Sequence, residues 1–585
     1  MIHSPGIWFV VLCANGRGGI LDIRFDLTLF CAPNSSPGER KPLLKGYRRW
    51  AAIAWLALIC GFAVLHAIHL SADFPNHSPW YGDWAKYTDE GWYGNAAIRA
   101  HLFGHWYLPG DFNPAPAVPV WPALEWLLFF LTGVSVEAAR GLAVAFFFVS
   151  LLLSYLLLRT SVPRWAALLA LTLLVSSPFL YCFSRLAILE PMLITLTLAA
   201  LVLAVHLPRL KRPVLASAAI GLLFTLMMLT KTTAVFLLPA LGWAMLQPLR
   251  GKSEVNPASP GDDPWGWPMA ARCALAAAIT AAVSFGLWMA LVVWSGHLPD
   301  YNYLFYINTY PKPANHTWPL VSLWWSIHGG LWVDHILIPL AGVVASGALL
   351  AWRTAWGRSL VADPVFGASV LVVVGYILFM TVQYHPQPRY FAVVAFFCFF
   401  LVAQGAVVLM HAGGTLRQFG WGIVVLAASA AVANGAWTLS YAAHPEYTFV
   451  SAARGLVQYM DQHPNRKRLL LSTSGDEITL LAHVPAICDD FGTPSRTYPD
   501  LTIKLERYQP GWFASWNDLD PGTLADIHTH FSLEQVASFH AFDDPERNVL
   551  VLFKLHPLPH WKVRDQHDES LRDVMPEDRI SIPVE

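Results

Sequence analysis

Tyr390-Phe391-Ala392-Val393-Val394-Ala395-Phe396-Phe397-Cys398-Phe399-Phe400-Leu401-Val402-Ala403-Gln404-Gly405-Ala406-Val407-Val408-Leu409-Met410 runs for 21 residues without a charge. A hydrocarbon layer about 30 Å thick needs ~20 apolar residues as helix, because lipid offers backbone amides no partner. The stretch therefore reads as a membrane-spanning helix. Working outward, ten further runs satisfy the same reading: 50–70, 141–158, 165–183, 191–207, 214–230, 232–249, 273–294, 336–352, 364–382 and 419–439. About eleven spans are predicted. The composition agrees, with 55% hydrophobic and 13% charged residues against roughly a quarter charged in soluble proteins. Thirty-eight basic and 39 acidic side chains nearly cancel, so no global field draws nucleic acid and that class of partner is set aside.

Basic loops stay on the cytoplasmic side of a membrane. Arg40, Lys41, Lys45, Arg48 and Arg49 precede the first run. Alternate connections then carry Arg159 and Arg164; Arg209, Lys211 and Arg212; Arg250 and Lys252; Arg353 and Arg358; and Arg417. With eleven spans all six groups fall on one face. The other face, periplasm or lumen, receives the loops 71–140, 295–335 and 383–389 and the tail after Ser440.

Residues 1–49 read as a disordered cytoplasmic extension, and 50–440 as the transmembrane body with its first exoplasmic loop at 71–140. In 441–585 charges return and short apolar runs (469–471, 549–555) alternate with helical stretches (449–461), which predicts a small exoplasmic α/β domain. The fold class expected is thus an all-α polytopic membrane protein with that domain appended. Cys13, Cys31, Cys60, Cys182, Cys273, Cys398 and Cys488 show no metal or redox spacing. Asn76-His77-Ser78 and Asn315-His316-Thr317 match the glycan acceptor pattern.

The loop 71–140 is the chemically informative part. It contains Tyr87-Thr88-Asp89-Glu90-Gly91-Trp92-Tyr93, a helical stretch to Gly104, the prolines Pro114, Pro116 and Pro119, and an amphipathic segment 121–133 interrupted by Glu125. That segment suits a helix lying in the interface. Asp89 and Glu90 either cap a helix beginning near Trp92 or present a working carboxylate at the membrane surface. Lys231, Arg185 and Arg389 each stand at the predicted exoplasmic end of a span, where they either snorkel to head groups or bind a phosphate. Lys231 stands out because almost no loop separates its flanking spans, and a cation so close to hydrocarbon is costly without a purpose. Glu190 opens a span and could pair with Arg185. Tyr93 suits an aromatic belt. His101 and His105 share a helix face at i, i+4, without an acid at matching spacing to make a metal site.

The order of these features resembles the GT-C membrane glycosyltransferases that use polyprenyl-phosphate sugars, in particular the protein mannosyltransferase and aminoarabinose transferase relatives of glycosyltransferase family 39. The landmarks are Asp89-Glu90 after the first span, Phe130-Leu131-Thr132-Gly133 with Arg140, Ser184-Arg185-Leu186 with Glu190, Leu229-Thr230-Lys231, and Pro388-Arg389-Tyr390. They span roughly 50–440. Gly91-Trp92, where relatives often have Arg, Asn113-Pro114 in place of a Lys, and Glu190 in place of Asp depart from the pattern.

The resemblance implies a transferase moving a sugar from a polyprenyl-phosphate donor to an exoplasmic glycan, lipid or protein acceptor with inversion. It places Asp89 and Glu90 at the catalytic centre, Asp89 as general base. Lys231, Arg185, Arg389 and Tyr93 are then donor-phosphate contacts, and Glu190 and Tyr390 acceptor-side or structural residues. It leaves room for a divalent metal, with no ligand set assigned, and implies a bacterial inner membrane with the site on the periplasmic side. Two other classes fit the composition: a secondary transporter or lipid flippase, which would place charges at the midplane in paired halves, and a catalytically degenerate envelope scaffold.

Overall fold

The computed structural model describes residues 42–80, 82–108, 113–246, 266–307, 314, 316–332, 341, 342, 344, 347, 354–384, 386–487, 501–517, 521–542 and 547–559. The chain divides into two compact units, Met1–Trp55 and Leu56–Glu585. The second contains every candidate site residue.

Helix α1 (Pro42–Leu65) leads into the long loop, where α2 (Asp89–Phe103) and α3 (Val120–Thr132) lie. The bundle continues with α4 (Val136–Leu158), α5 (Arg164–Ser176), α6 (Pro178–Ser184), α7 (Leu189–His206), α8 (Pro213–Thr230), α9 (Leu238–Leu246) and α10 (Trp267–Trp294). After the shorter α11 (Leu298–Ile307), α12 (Trp318–Trp332) and α13 (Ala355–Val361) come α14 (Pro364–Gln383), α15 (Phe391–Ala412) and α16 (Gly414–Ala443).

Among the described residues, α4, α7, α8, α10, α14, α15 and α16 are long and apolar enough to cross a membrane. The run 165–183 is bent, α5 and α6 meeting at 65°. Pro178 lacks the N–H that a continuous helix would use, and Ser177 caps the new helix through Leu180 N. The runs 50–70 and 232–249 are represented by shorter apolar helices, 50–65 and 232–246. The run 336–352 falls almost entirely outside the described residues, as do 1–41, Asn315 and Cys488.

The uncharged run that opens α15 is buried along its whole length from Phe391 to Met410. A helix apolar all round belongs in the middle of a bundle, and α15 packs against α5, α14 and α16. Conversely α3 keeps Trp121, Glu125 and Phe129 inside and leaves Phe130 63% and Leu131 87% exposed. The apolar display is thus one-sided, on a helix of 13 residues, too short to span.

Beyond α16 the chain forms α17 (Thr448–Gln462), β1 (Leu470–Leu471), α18 (Gly475–Ala482), β2 (Ala486–Ile487), α19 (Leu501–Tyr508), β3 (Trp512–Trp516), α20 (Pro521–His528), β4 (Phe531–His540) and β5 (Val549–Pro557). The strand order is β2-β1-β3-β5-β4, with β1 parallel to β2 and β3, and β5 antiparallel to β3 and β4. This α/β layer shares its core with the first loop: Tyr87, Ala97 and Trp121 pack in one cluster with Phe449, Leu456, Ile478, Trp512 and Phe542. Asp73 fastens the two by accepting hydrogen bonds from Phe449 N at 2.8 Å and Val450 N at 3.2 Å, at the start of α17. Asn76 is buried here, its backbone N–H on Glu446 at 2.9 Å, so the acceptor pattern it opens is inaccessible to a glycan.

Candidate active site

Helix α2 begins at Asp89, three residues earlier than its apolar pattern suggested, and both acids occupy its first turn. Successive helical residues point about 100° apart, which sends the two carboxylates to different neighbourhoods.

Glu90 is fully buried and goes to architecture. Arg140 of α4 grips it with a fork, Nε to Oε2 at 2.7 Å and Nη2 to Oε1 at 2.5 Å, while Ala187 N donates to Oε2 at 2.8 Å. The remaining Arg140 nitrogen donates to the carbonyls of Leu70 and Ala72 at 2.8 and 2.5 Å. Three loop ends are thereby tied together around one ion pair. Glu90 is thereby committed to Arg140 and Ala187, which departs from its expected place beside Asp89 in the chemistry.

Asp89 turns the other way. Its Oδ1 accepts from Thr88 Oγ1 at 3.0 Å, and its Oδ2 lies 3.1 Å from Arg389 Nη2 without an aligned hydrogen bond. Burial holds its carboxyl above the ordinary carboxylate range; the Arg389 guanidinium opposes this, and the negative charges of Asp83 and Glu190 add to it. Neither acid caps its own helix. The first-turn amide of Gly91 is satisfied instead by Glu477 Oε2 at 2.7 Å.

Around Asp89 converge side chains from three distant helix ends. Arg389, in the 3₁₀ turn Pro388–Tyr390 that opens α15, also binds Asp83, Nη1 to Oδ1 at 2.5 Å and backbone N to Oδ2 at 2.8 Å. Asp83 at the same time caps the turn Trp84–Lys86 through Ala85 N at 2.9 Å. Glu190, in the first turn of α7, forms a buried ion pair with Lys231 at the end of α8, and Lys231 Nζ stands 4.4 Å from the centre of the Tyr390 ring. Glu190 Oε2 has no hydrogen-bond partner among the described residues. Tyr93, one turn beyond Asp89, is buried facing the same charges; desolvation, then the Asp89 carboxylate, raise its phenol above the ordinary range.

Asp89, Tyr93, Glu190, Lys231, Arg389 and Tyr390 are thus brought together, and Arg185 is not. Its guanidinium lies over the Tyr181 ring at 4.5 Å, bonds the Tyr181 hydroxyl, and donates to the carbonyls of Ile68 and His69. The anticipated Arg185–Glu190 pair does not form, because Lys231 takes the carboxylate and α1's trailing carbonyls take the guanidinium. Asp83, Arg140 and Glu477 were not singled out as site residues by sequence reading. Each looks like an ordinary loop or helix-end charge until its partner, 50 to 386 residues away, is known.

His101 spends its Nε2 on Trp126 O at 2.9 Å and its ring on Phe129 and Phe130, joining α2 to α3. Among the described residues no three His, Cys, Asp or Glu side chains converge as a metal group. The site carboxylates Asp83 and Glu190 are matched by Arg389 and Lys231, so their charge is balanced by side chains of this chain. Along α2 from Asp89, an apolar cleft of about 630 Å³ opens between α2, α3 and the end of α10, lined by Ala97, Pro119, Trp126, Trp288, Leu291 and His297 among others. Its nearest wall residue on α2, Ala96, is about 10 Å along the axis from Asp89 at ~1.5 Å per residue.

No protein of described function matches the sequence itself. Residues 114–257 match the family model described as dolichyl-phosphate-mannose-protein mannosyltransferase. Among solved structures, ArnT from Cupriavidus metallidurans bound to undecaprenyl phosphate superimposes with a TM-score of 0.55 at 14% identity, covering 86% of this chain and 98% of that one. The oligosaccharyltransferase AglB from Archaeoglobus fulgidus, in complex with an inhibitory peptide and a dolichol-phosphate, gives 0.47 at 13%, covering 83% and 74%. The architecture is the GT-C fold anticipated from the order of the acidic pair, the basic helix ends and the spans.

Proposed function

We propose that the protein is a membrane glycosyltransferase that moves a sugar from a polyprenyl phosphate to a hydroxyl or amine acceptor at the exoplasmic face, with inversion. The observation that carries this reading is Asp89: a buried carboxylate 3.1 Å from the Arg389 guanidinium, its Oδ2 without an aligned hydrogen bond. The fold shared with ArnT and the mannosyltransferase match over 114–257 support it, and the ligand class is carried over from ArnT's undecaprenyl phosphate.

In the step envisaged, the acceptor O–H or N–H gives its proton to Asp89 as its lone pair attacks the anomeric carbon. The bond from that carbon to the phosphate oxygen breaks, and the electron pair leaves with the polyprenyl phosphate. A phosphate leaves without an acid, so one base suffices and the two-carboxylate arrangement of glycoside hydrolases is not needed. Lys231 and Arg389 balance the developing charge by exchanging part of their contact with Glu190 and Asp83 for phosphate oxygens. The apolar cleft beside α2 would take the prenyl chain, with its mouth between the interfacial α3 and a spanning helix. Charge gathered at one set of helix ends, rather than at mid-span in paired halves, favours this over a transporter.

Asp89→Asn keeps size and polarity but cannot take the proton. In liposomes supplied with a panel of polyprenyl-phosphate sugars and an envelope extract, its turnover should fall on the order of a hundredfold with donor binding preserved. Full turnover by this variant would remove Asp89 from the mechanism, and no transfer by the parent protein would remove the reading itself.

A further inference from the structure

The α/β layer reaches the start of α2 through a set of contacts concentrated on residues 84–99. Glu477, in the first turn of α18, accepts the Gly91 amide at 2.7 Å. Asp476 beside it takes Arg99 Nη2 at 3.3 Å, and Arg99 also donates to Ala486 O at 3.1 Å. Lys86 Nζ stands 4.5 Å from the Phe542 ring centre, Tyr87 meets Trp516 edge-on at 5.5 Å, and the Arg547 guanidinium covers Trp84 and Tyr87 at 5.3 and 5.1 Å. The approach is close enough that a Cβ on Gly91 would stand 2.2 Å from the Asp476 carbonyl. Only glycine lets the two helix starts meet, and the Gly91 amide they share is two residues from Asp89.

We propose that Glu477 is a positioning residue for Asp89: by supplying the acceptor that the first turn of α2 lacks, it fixes where that turn begins and so where the Asp89 carboxylate points. This rests on the transferase reading above. A helix start leaves its first amides without partners, and here the N-cap residue Thr88 makes no side-chain cap bond. Its hydroxyl is spent on Trp84 O and on Asp89 itself. The cap comes from the other end of the chain. Burial, with the negative charge of Glu90 adding and Arg140 opposing, holds Glu477 well above the ordinary carboxylate range. What Gly91 needs from it is a single acceptor oxygen, which the carbonyl of an amide also presents.

The test uses the full-length protein in nanodiscs. Glu477→Ala should lower kcat about tenfold, leave binding of undecaprenyl phosphate within about twofold, and accelerate amide exchange across residues 87–95. Glu477→Gln should restore both turnover and protection, and Glu477→Asp, a methylene short of Gly91, should fall between them; should the alanine variant not fold, this pair decides. Parent-like turnover and exchange in Glu477→Ala, or equal damage from Gln and Ala, would overturn the proposal. If the parent protein turns over no donor, the transferase reading fails, and the exchange pattern alone decides the role of Glu477 at the helix start.

Discussion

Lys231 and Glu190 bury opposite charges against each other, so removing either one strands the other. Truncating one member of such a pair costs roughly 3–5 kcal/mol, whereas replacing both by apolar or neutral groups is often near neutral. Lys231→Ala should therefore lower the melting midpoint as well as donor use. The double variant Lys231→Met with Glu190→Gln should melt like the parent and still bind undecaprenyl phosphate at least tenfold more weakly, measured by calorimetry in detergent. Parent-like binding by the double variant would confine the pair to structure. Asp89 makes a second prediction. Its raised pKa means that the base is lost on acidification earlier than an ordinary carboxylate would be, so kcat should fall as pH drops through that raised value. Stability runs in the opposite sense, because a carboxyl whose folded pKa is raised stabilises the fold when protonated and loses that contribution as pH climbs through it. A kcat profile flat over the acid range would exclude Asp89 as the titrating base.

At the scale of elements, the tie among α2, α4 and the start of α7 is the Glu90–Arg140 pair. Arg140→Leu leaves a fully buried carboxylate without its counter-ion and two carbonyls without donors, and should cost about 3–5 kcal/mol. Adding Glu90→Leu should recover most of the melting midpoint and keep turnover within about tenfold; turnover collapsing in a well-folded double variant would return Glu90 to the chemistry. Here lies the boundary of what the sequence discloses. An uncharged run long enough to span found α15, a short amphipathic pattern found α3, and cations next to hydrocarbon drew attention to Lys231 and Arg389, because each of those signals is local. Asp89 and Glu90 are indistinguishable in sequence, and one residue of helical rotation separates a site carboxylate from a strut. Glu477 carries no local mark at all, since its meaning depends on a pairing across 386 residues. Arg185 misled for the same reason: its position at a helix end was legible, and the carbonyls of Ile68 and His69 that absorb it were not.

At the scale of the whole molecule, the alternation of basic connections predicts that the chain enters from the cytoplasm and finishes outside. Alkaline phosphatase fused at the C-terminus should be active and a cytoplasmic reporter silent; the reverse would invert the assignment of faces. That arrangement gives the Gly91–Glu477 contact a meaning in time. Asp89 is made early, among the first hundred residues, and the carboxyl that sets its helix is made 386 residues after Gly91. At about 5–20 residues per second, the ribosome takes roughly 20 to 80 seconds to bridge that interval. During this interval the carboxylate exists but its helix start has no cap. On the proposed reading, the turn that aims Asp89 is thus held by its acceptor only once the α/β layer has been made and has packed on α2.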